Sequence, residues 1–167
     1  MIKTTISSVI LCTVAVVLQS TLLPNFALYQ AIPDLVLCIV VFVAYVNGSM
    51  TGQISGFFSG LLLDFMSSSP LGLNCLVRTI IGALAGIKKG AFFLDIFLLP
   101  VILCGLATLV KAAVFFILFL IFPGFVKTYH LTEPVLWVEL GMNCLSAPIL
   151  FFILKRIKLL RMERGNS

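Results

Sequence analysis

Asp64, Arg78, Lys111 and Glu139 are ionisable groups set inside apolar runs, and intramembrane chemistry could be built from them. A charge at bilayer depth costs at least a few kcal/mol unless it is paired or reaches water, so each marks a brace between helices or a path for protons or substrate. Asp64 lies about one helical turn before the loop Ser67-Ser68-Ser69-Pro70, and Arg78 about two turns after it. A helical hairpin would bring the two to similar depth. The spacing therefore predicts an Asp64–Arg78 ion pair that locks two helices together, a reading favoured over proton relay or substrate binding. Lys111 and Glu139 are expected to pair likewise, the lysine stem snorkelling from the deeper position.

Other catalytic constellations are missing from the sequence. His130, the single histidine, sits between Tyr129 and Leu131 with no second metal ligand or nucleophile beside it, and reads as a solvated loop residue. Cys12, Cys38, Cys75, Cys104 and Cys144 fall in apolar runs without CxxC spacing, which indicates neither a disulfide framework nor a metal site. They read as small buried residues. No phosphate loop, HExxH or GxSxG motif occurs, so neither a conventional enzyme nor a cofactor is expected.

Gly48, Gly52, Gly56 and Gly60 recur at four-residue steps and lead into Asp64. Each step turns a helix by about 400°, so the positions stack into a groove without side chains. In lipid, helices associate through close packing along such faces and through hydrogen bonds from polar groups. Packing within the chain is the default use, and Gly82, Gly86 and Gly90 offer a matching series on the next helix. Docking of a partner's helix is the other use.

Composition sets the elements that must position these residues. The 167-residue chain is 61% hydrophobic and 10% charged, with a mean hydropathy of +1.22, values far from those of soluble globular domains. We expect an all-α integral membrane protein with a single domain over residues 1–154 and a basic tail over 155–167. Six helices are predicted, over Ile6–Leu23, Leu35–Val46, Ser49–Met66, Leu71–Ile87, Asp95–Phe122 and Pro134–Leu154. The first lacks a small-x-small cleavage site after its apolar run and is read as retained. One helix from Leu35 to Leu63 would be about 43 Å long against a hydrocarbon core of about 30 Å, so a turn at Asn47-Gly48 is expected instead.

With six spans, Lys3, Lys88, Lys89, Lys155, Arg156, Lys158, Arg161 and Arg164 share one side, and Lys127 falls opposite. The positive-inside rule then places both termini in the cytoplasm. The tail Lys155-Arg156-Ile157-Lys158-Leu159-Leu160-Arg161 suits anionic lipid along that leaflet or plain topological anchoring, and not nucleic acid.

Several of these residues resemble the bacterial rod shape-determining protein MreD family over essentially the whole chain. Gln19, Pro33-Asp34-Leu35, the run from Gly56 to Asp64, Pro70-Leu71-Gly72 and Arg78 carry the likeness, while the uncharged Asn47-Gly48 turn departs from it. The resemblance implies six transmembrane helices in the cytoplasmic (inner) membrane, with a fold similar to the substrate-binding components of energy-coupling vitamin transporters. It also implies a non-catalytic scaffold of the cell-elongation complex. Such a scaffold would dock MreC and the glycosyltransferase and transpeptidase of lateral peptidoglycan synthesis, with MreB filaments contacted indirectly. The glycine stripe would be its docking face. The alternative is a small-molecule binding subunit of an energy-coupled importer, for which the first helix should present an alanine-x-x-x-alanine face; Ile6–Leu23 offers only Ala15.

Overall fold

A computed structural model describes residues 2–26, 31–67, 69–87, 97–124 and 134–157. Among them are six α-helices: α1 (Ile2–Thr21), α2 (Leu35–Asn47), α3 (Ser49–Met66), α4 (Leu73–Ile87), α5 (Leu98–Ile121) and α6 (Pro134–Arg156). A short 3-10 turn, Leu23–Phe26, follows α1. The all-helical expectation holds, and α3 has the predicted bounds. The first helix lies further toward the N-terminus than expected. The fourth begins two residues late, because Pro70, Leu71 and Gly72 form the turn into it, with Gly72 at φ 92°.

The core is organised around α2. Its sequence is apolar on every side, and Val36 through Ala44 are all buried, the pattern of a helix surrounded by others. It packs against α1, α3, α4, α5 and α6, and the Phe42 and Phe151 rings meet edge to face with centroids 5.0 Å apart. Gly48, at φ 99°, ends α2 and opens α3. The expected break between the second and third helices is therefore present.

The most intimate contact joins α3 to α4, and the glycines make it. A methyl group at Gly52, Gly56, Gly60, Gly82 or Gly86 would stand closer than 3.0 Å to backbone of the facing segment. Gly52 meets Gly82, Gly56 lies against the Arg78 carbonyl, Gly60 against Asn74 and Cys75, and Gly86 against Ser49. This corrects the expectation of a partner-docking groove at the stripe. The face is filled by α4, and Gly48 belongs to the turn.

Three helical stretches, Lys3–Thr21, Leu98–Ile121 and Pro134–Arg156, are long and apolar enough to cross a membrane, and α2 and α4 are shorter apolar helices. Large apolar side chains such as Ile10, Leu106, Leu120, Leu145 and Phe152 stand exposed on the long helices. That surface suits hydrocarbon. Four of the cysteines are buried, Cys144 is half-buried, and all five are free, as the sequence suggested. Lys88, Lys89, Gly90, Asp95, Lys127, His130, Lys158, Arg161 and Arg164 lie outside the described residues, so the readings that rest on them concern sequence alone.

Candidate functional site

The first turn of α2 has backbone N–H groups with no partner inside the helix, and side chains supply the acceptors. Asp34 caps it, Oδ1 accepting from Leu37 N at 3.1 Å, while Gln19 at the end of α1 accepts from Val36 N at 3.1 Å. The backbone N–H of Asp34 donates to Asn143 Oδ1 of α6 at 2.7 Å. Asn143 in turn donates to Thr108 Oγ1 of α5 at 2.9 Å. A helix end sunk among other helices is thus tied to α1, α5 and α6.

The cap brings a charge with it, and two cations answer that charge. Arg78 Nη2 of α4 donates to Asp34 Oδ1 at 2.8 Å, and Lys111 Nζ of α5 to Asp34 Oδ2 at 2.9 Å. Lys111 also donates to Glu139 Oε1 of α6 at 2.6 Å. Asp34 is 3% exposed, Arg78 2% and Glu139 5%. Burial this deep is tolerated because the four formal charges sum to zero and each ion has an opposite neighbour. Side chains from α1, α4, α5 and α6 therefore converge on one residue at the start of α2.

The expected Lys111–Glu139 pair is present, but the expected Asp64–Arg78 pair is not. Asp64, in the last turns of α3, instead receives Gly72 N at 2.9 Å, Asn74 N at 3.0 Å, Cys75 N at 3.1 Å and Asn74 Nδ2 at 2.9 Å. It caps α4 from outside that helix. A carboxylate among the N–H groups of a helix N-terminus is stabilised by those donors and the positive end of the dipole, and needs no cation. Arg78, one turn further on, is left to Asp34.

Beside the network lies a cavity of about 400 Å³, lined in part by Gln19, Asp34, Asn74, Arg78, Lys111 and Glu139. A second cavity, of about 260 Å³, lies between α4 and α5 and is lined by Ile81, Leu84, Ala85, Leu103, Leu106, Ala107 and Val110. No group of three or more His, Cys, Asp or Glu placed to hold a metal occurs among the described residues.

Comparison with known proteins decides the family. The sequence model of the rod shape-determining protein MreD family matches residues 1–161. The chain belongs to that family. No curated protein and no solved structure matches it.

Within this MreD-family chain the sequence reading named Asp34 only within Pro33-Asp34-Leu35, as part of the family likeness, and missed its place at the centre of the site. Asp34 precedes an apolar run after a proline and looks like an ordinary helix cap in a connecting loop. The signal that could have found it is the length of α2: 13 residues rise only about 20 Å at 1.5 Å each, short of a hydrocarbon core of about 30 Å. A cap on so short a helix lies at depth, and Asp34, which takes one backbone N–H where Asp64 takes three, is balanced by cations instead. Thr108 and Asn143 were missed as well, and Gln19 stood only among the residues of the family likeness; all three are neutral polar residues whose partners on other elements lie 15 to 109 positions away.

Proposed function

We propose that this MreD-family protein is a non-catalytic scaffold of the cell-elongation complex, a six-span protein of the bacterial inner membrane with both termini in the cytoplasm. It docks MreC and, with it, the synthases of lateral peptidoglycan, while MreB filaments are met indirectly. The observation that carries the reading is the family match over residues 1–161, which makes this a rod shape-determining membrane protein. Support comes from how the polar groups are used. Asp34, Asp64, Arg78, Lys111 and Glu139 are each engaged in holding helix ends or helix pairs, the arrangement of a rigid body rather than of a reactive centre.

Because α4 occupies the glycine face, a docking helix needs another surface. The cleft between α4 and α5 is lined by apolar side chains alone, the chemistry of a transmembrane helix, whereas the wall of the cavity beside Asp34 includes the charged groups of Asp34, Arg78, Lys111 and Glu139. We assign the partner helix to the apolar cleft. A photo-crosslinking residue at Leu106, which lines the cleft, should capture MreC in intact cells, and one at Ile10 on the exposed face of α1 should not. Capture from Ile10 alone would move the docking face. Capture from neither, with recovery of ATP-binding-cassette subunits by mass spectrometry, would replace the scaffold reading with the importer one.

A further inference from the structure

The two halves of α6 are held in different ways. From Pro148 onward the helix belongs to the apolar core: Phe151 and Leu154 are buried in it, with Ala147 beside the proline, and the Phe151 ring meets Phe42 edge to face at 5.0 Å. Before Pro148 the inward-facing side chains are chiefly polar. Asn143 accepts from Asp34 N at 2.7 Å and donates to Thr108 Oγ1 at 2.9 Å, and Glu139 accepts from Lys111 Nζ at 2.6 Å. Leu136 is buried without belonging to that core. Val135 and Glu139, from this half, form part of the wall of the cavity of about 400 Å³.

Pro148 separates the halves at the point where a helix bends most easily. It has no N–H to give the Cys144 carbonyl, and its ring crowds that carbonyl, the usual cause of a kink inside a helix. The Cys144 sulfur lies beside Gly105 of α5, close to the pivot, where a swing moves atoms little. The two kinds of attachment also differ in what can replace them. Hydrogen bonds and ion pairs beside a polar cavity exchange for bonds to water at a modest net cost, and this cavity has room for several waters. Opening wets both partners of each contact, unlike deletion of one, which leaves the other buried. The packed Phe42–Phe151 contact has no such substitute. We propose that residues 134–147 of α6 form a hinged wall, turning about Pro148, that is latched in this structure by Asn143 and Glu139 and swings out to open the cavity. The hinge does not rest on the docking of MreC. Gly141 stands about 10 Å from the pivot at 1.5 Å per residue, so a change of bend of about 20° carries it about 4 Å.

Spin labels on the full-length, cysteine-free protein in lipid nanodiscs read the swing. Leu22, just after α1, is exposed and Gly141 has open space for a side chain, so Leu22→Cys with Gly141→Cys reports on the hinged half. Ile10→Cys with Ile149→Cys, both at exposed positions, reports on the half beyond the pivot. Pulsed electron–electron distance measurements should give a single closed population for both pairs in the parent. Asn143→Ala removes the latch bonds to Asp34 and Thr108, and it should add a second population to the first pair, longer by up to about 4 Å, while leaving the second pair unchanged. Thr108→Val cuts only the α5 side of the latch; it should give a smaller second population, and it serves where Asn143→Ala does not fold. Adding Pro148→Ala to whichever latch variant folds should return the first pair to a single distance. An unchanged distance in the latch variant, equal changes in the two pairs, or a second population that persists with Pro148→Ala would each overturn the proposal.

Discussion

Asp34 holds two cations although a single ion pair would neutralise it, and the reason lies in how the four charges are grouped. Asp34–Arg78 and Lys111–Glu139 are each neutral pairs, and the contact of Lys111 with both carboxylates joins them. Deleting one member leaves an uncompensated buried charge, a loss of about 3–5 kcal/mol, whereas removing a whole pair preserves neutrality. Lys111→Met should therefore lower the stability of the purified protein markedly. The double variant Lys111→Met with Glu139→Gln should recover much of that loss, which a thermal-unfolding double-mutant cycle reads as a large coupling. Additive losses would show that the two residues act separately. The individual groups were visible in the sequence, since a charge in an apolar run stands out, but their partners were not. Asp64 and Arg78 are 14 positions apart across one hairpin, yet helix rotation turns Arg78 toward α2 and leaves Asp64 to the α4 N-terminus. Rotation is a property of packing, and spacing alone does not fix it.

At the level of elements, the α3–α4 seam is set by absent side chains, so substitutions there act by overpacking. Gly56 lies directly over the Arg78 carbonyl, and backbone cannot yield as a flexible side chain does. Gly56→Ala should cost about 1–3 kcal/mol and should also disturb the Arg78 guanidinium that hangs from the same residue. Gly141, in α6, has open space where a methyl would go, and Gly141→Ala should be neutral or mildly stabilising, as expected for a helical glycine replaced by the better helix former. Melting temperatures of the two variants in one detergent give the comparison, and equal behaviour would place the seam elsewhere. Much of this scale was legible in sequence: Gly48 and Pro134 sit at element boundaries, and the paired series Gly52-Gly56 and Gly82-Gly86 signals two faces that meet. The default of packing within the chain was the correct one. What the stripe could not reveal was that Gly52, Gly56 and Gly60 are each covered by backbone of α4.

For the molecule as a whole, helix lengths are unequal, and this bears on how the bundle sits in a bilayer. α5 and α6, with 24 and 23 residues, rise about 35 Å and are long enough to cross a core of about 30 Å with some tilt. α2, at 13 residues, reaches only part of the way. Its Asp34 end is then a recess toward which polar side chains converge, its depth stabilised by the charge network rather than by lipid. The recess lies where α1 ends and α2 and α6 begin, the side opposite Lys3, Lys155 and Arg156. If both termini are cytoplasmic, it opens to the outer face. Cysteine accessibility decides this on a cysteine-free background: Lys127→Cys should react with a membrane-impermeant maleimide in intact cells, and Lys158→Cys only after the membrane is permeabilised. Equal labelling of the two would refute six spans. Reversed labelling would keep the bundle and turn the recess to the cytoplasm.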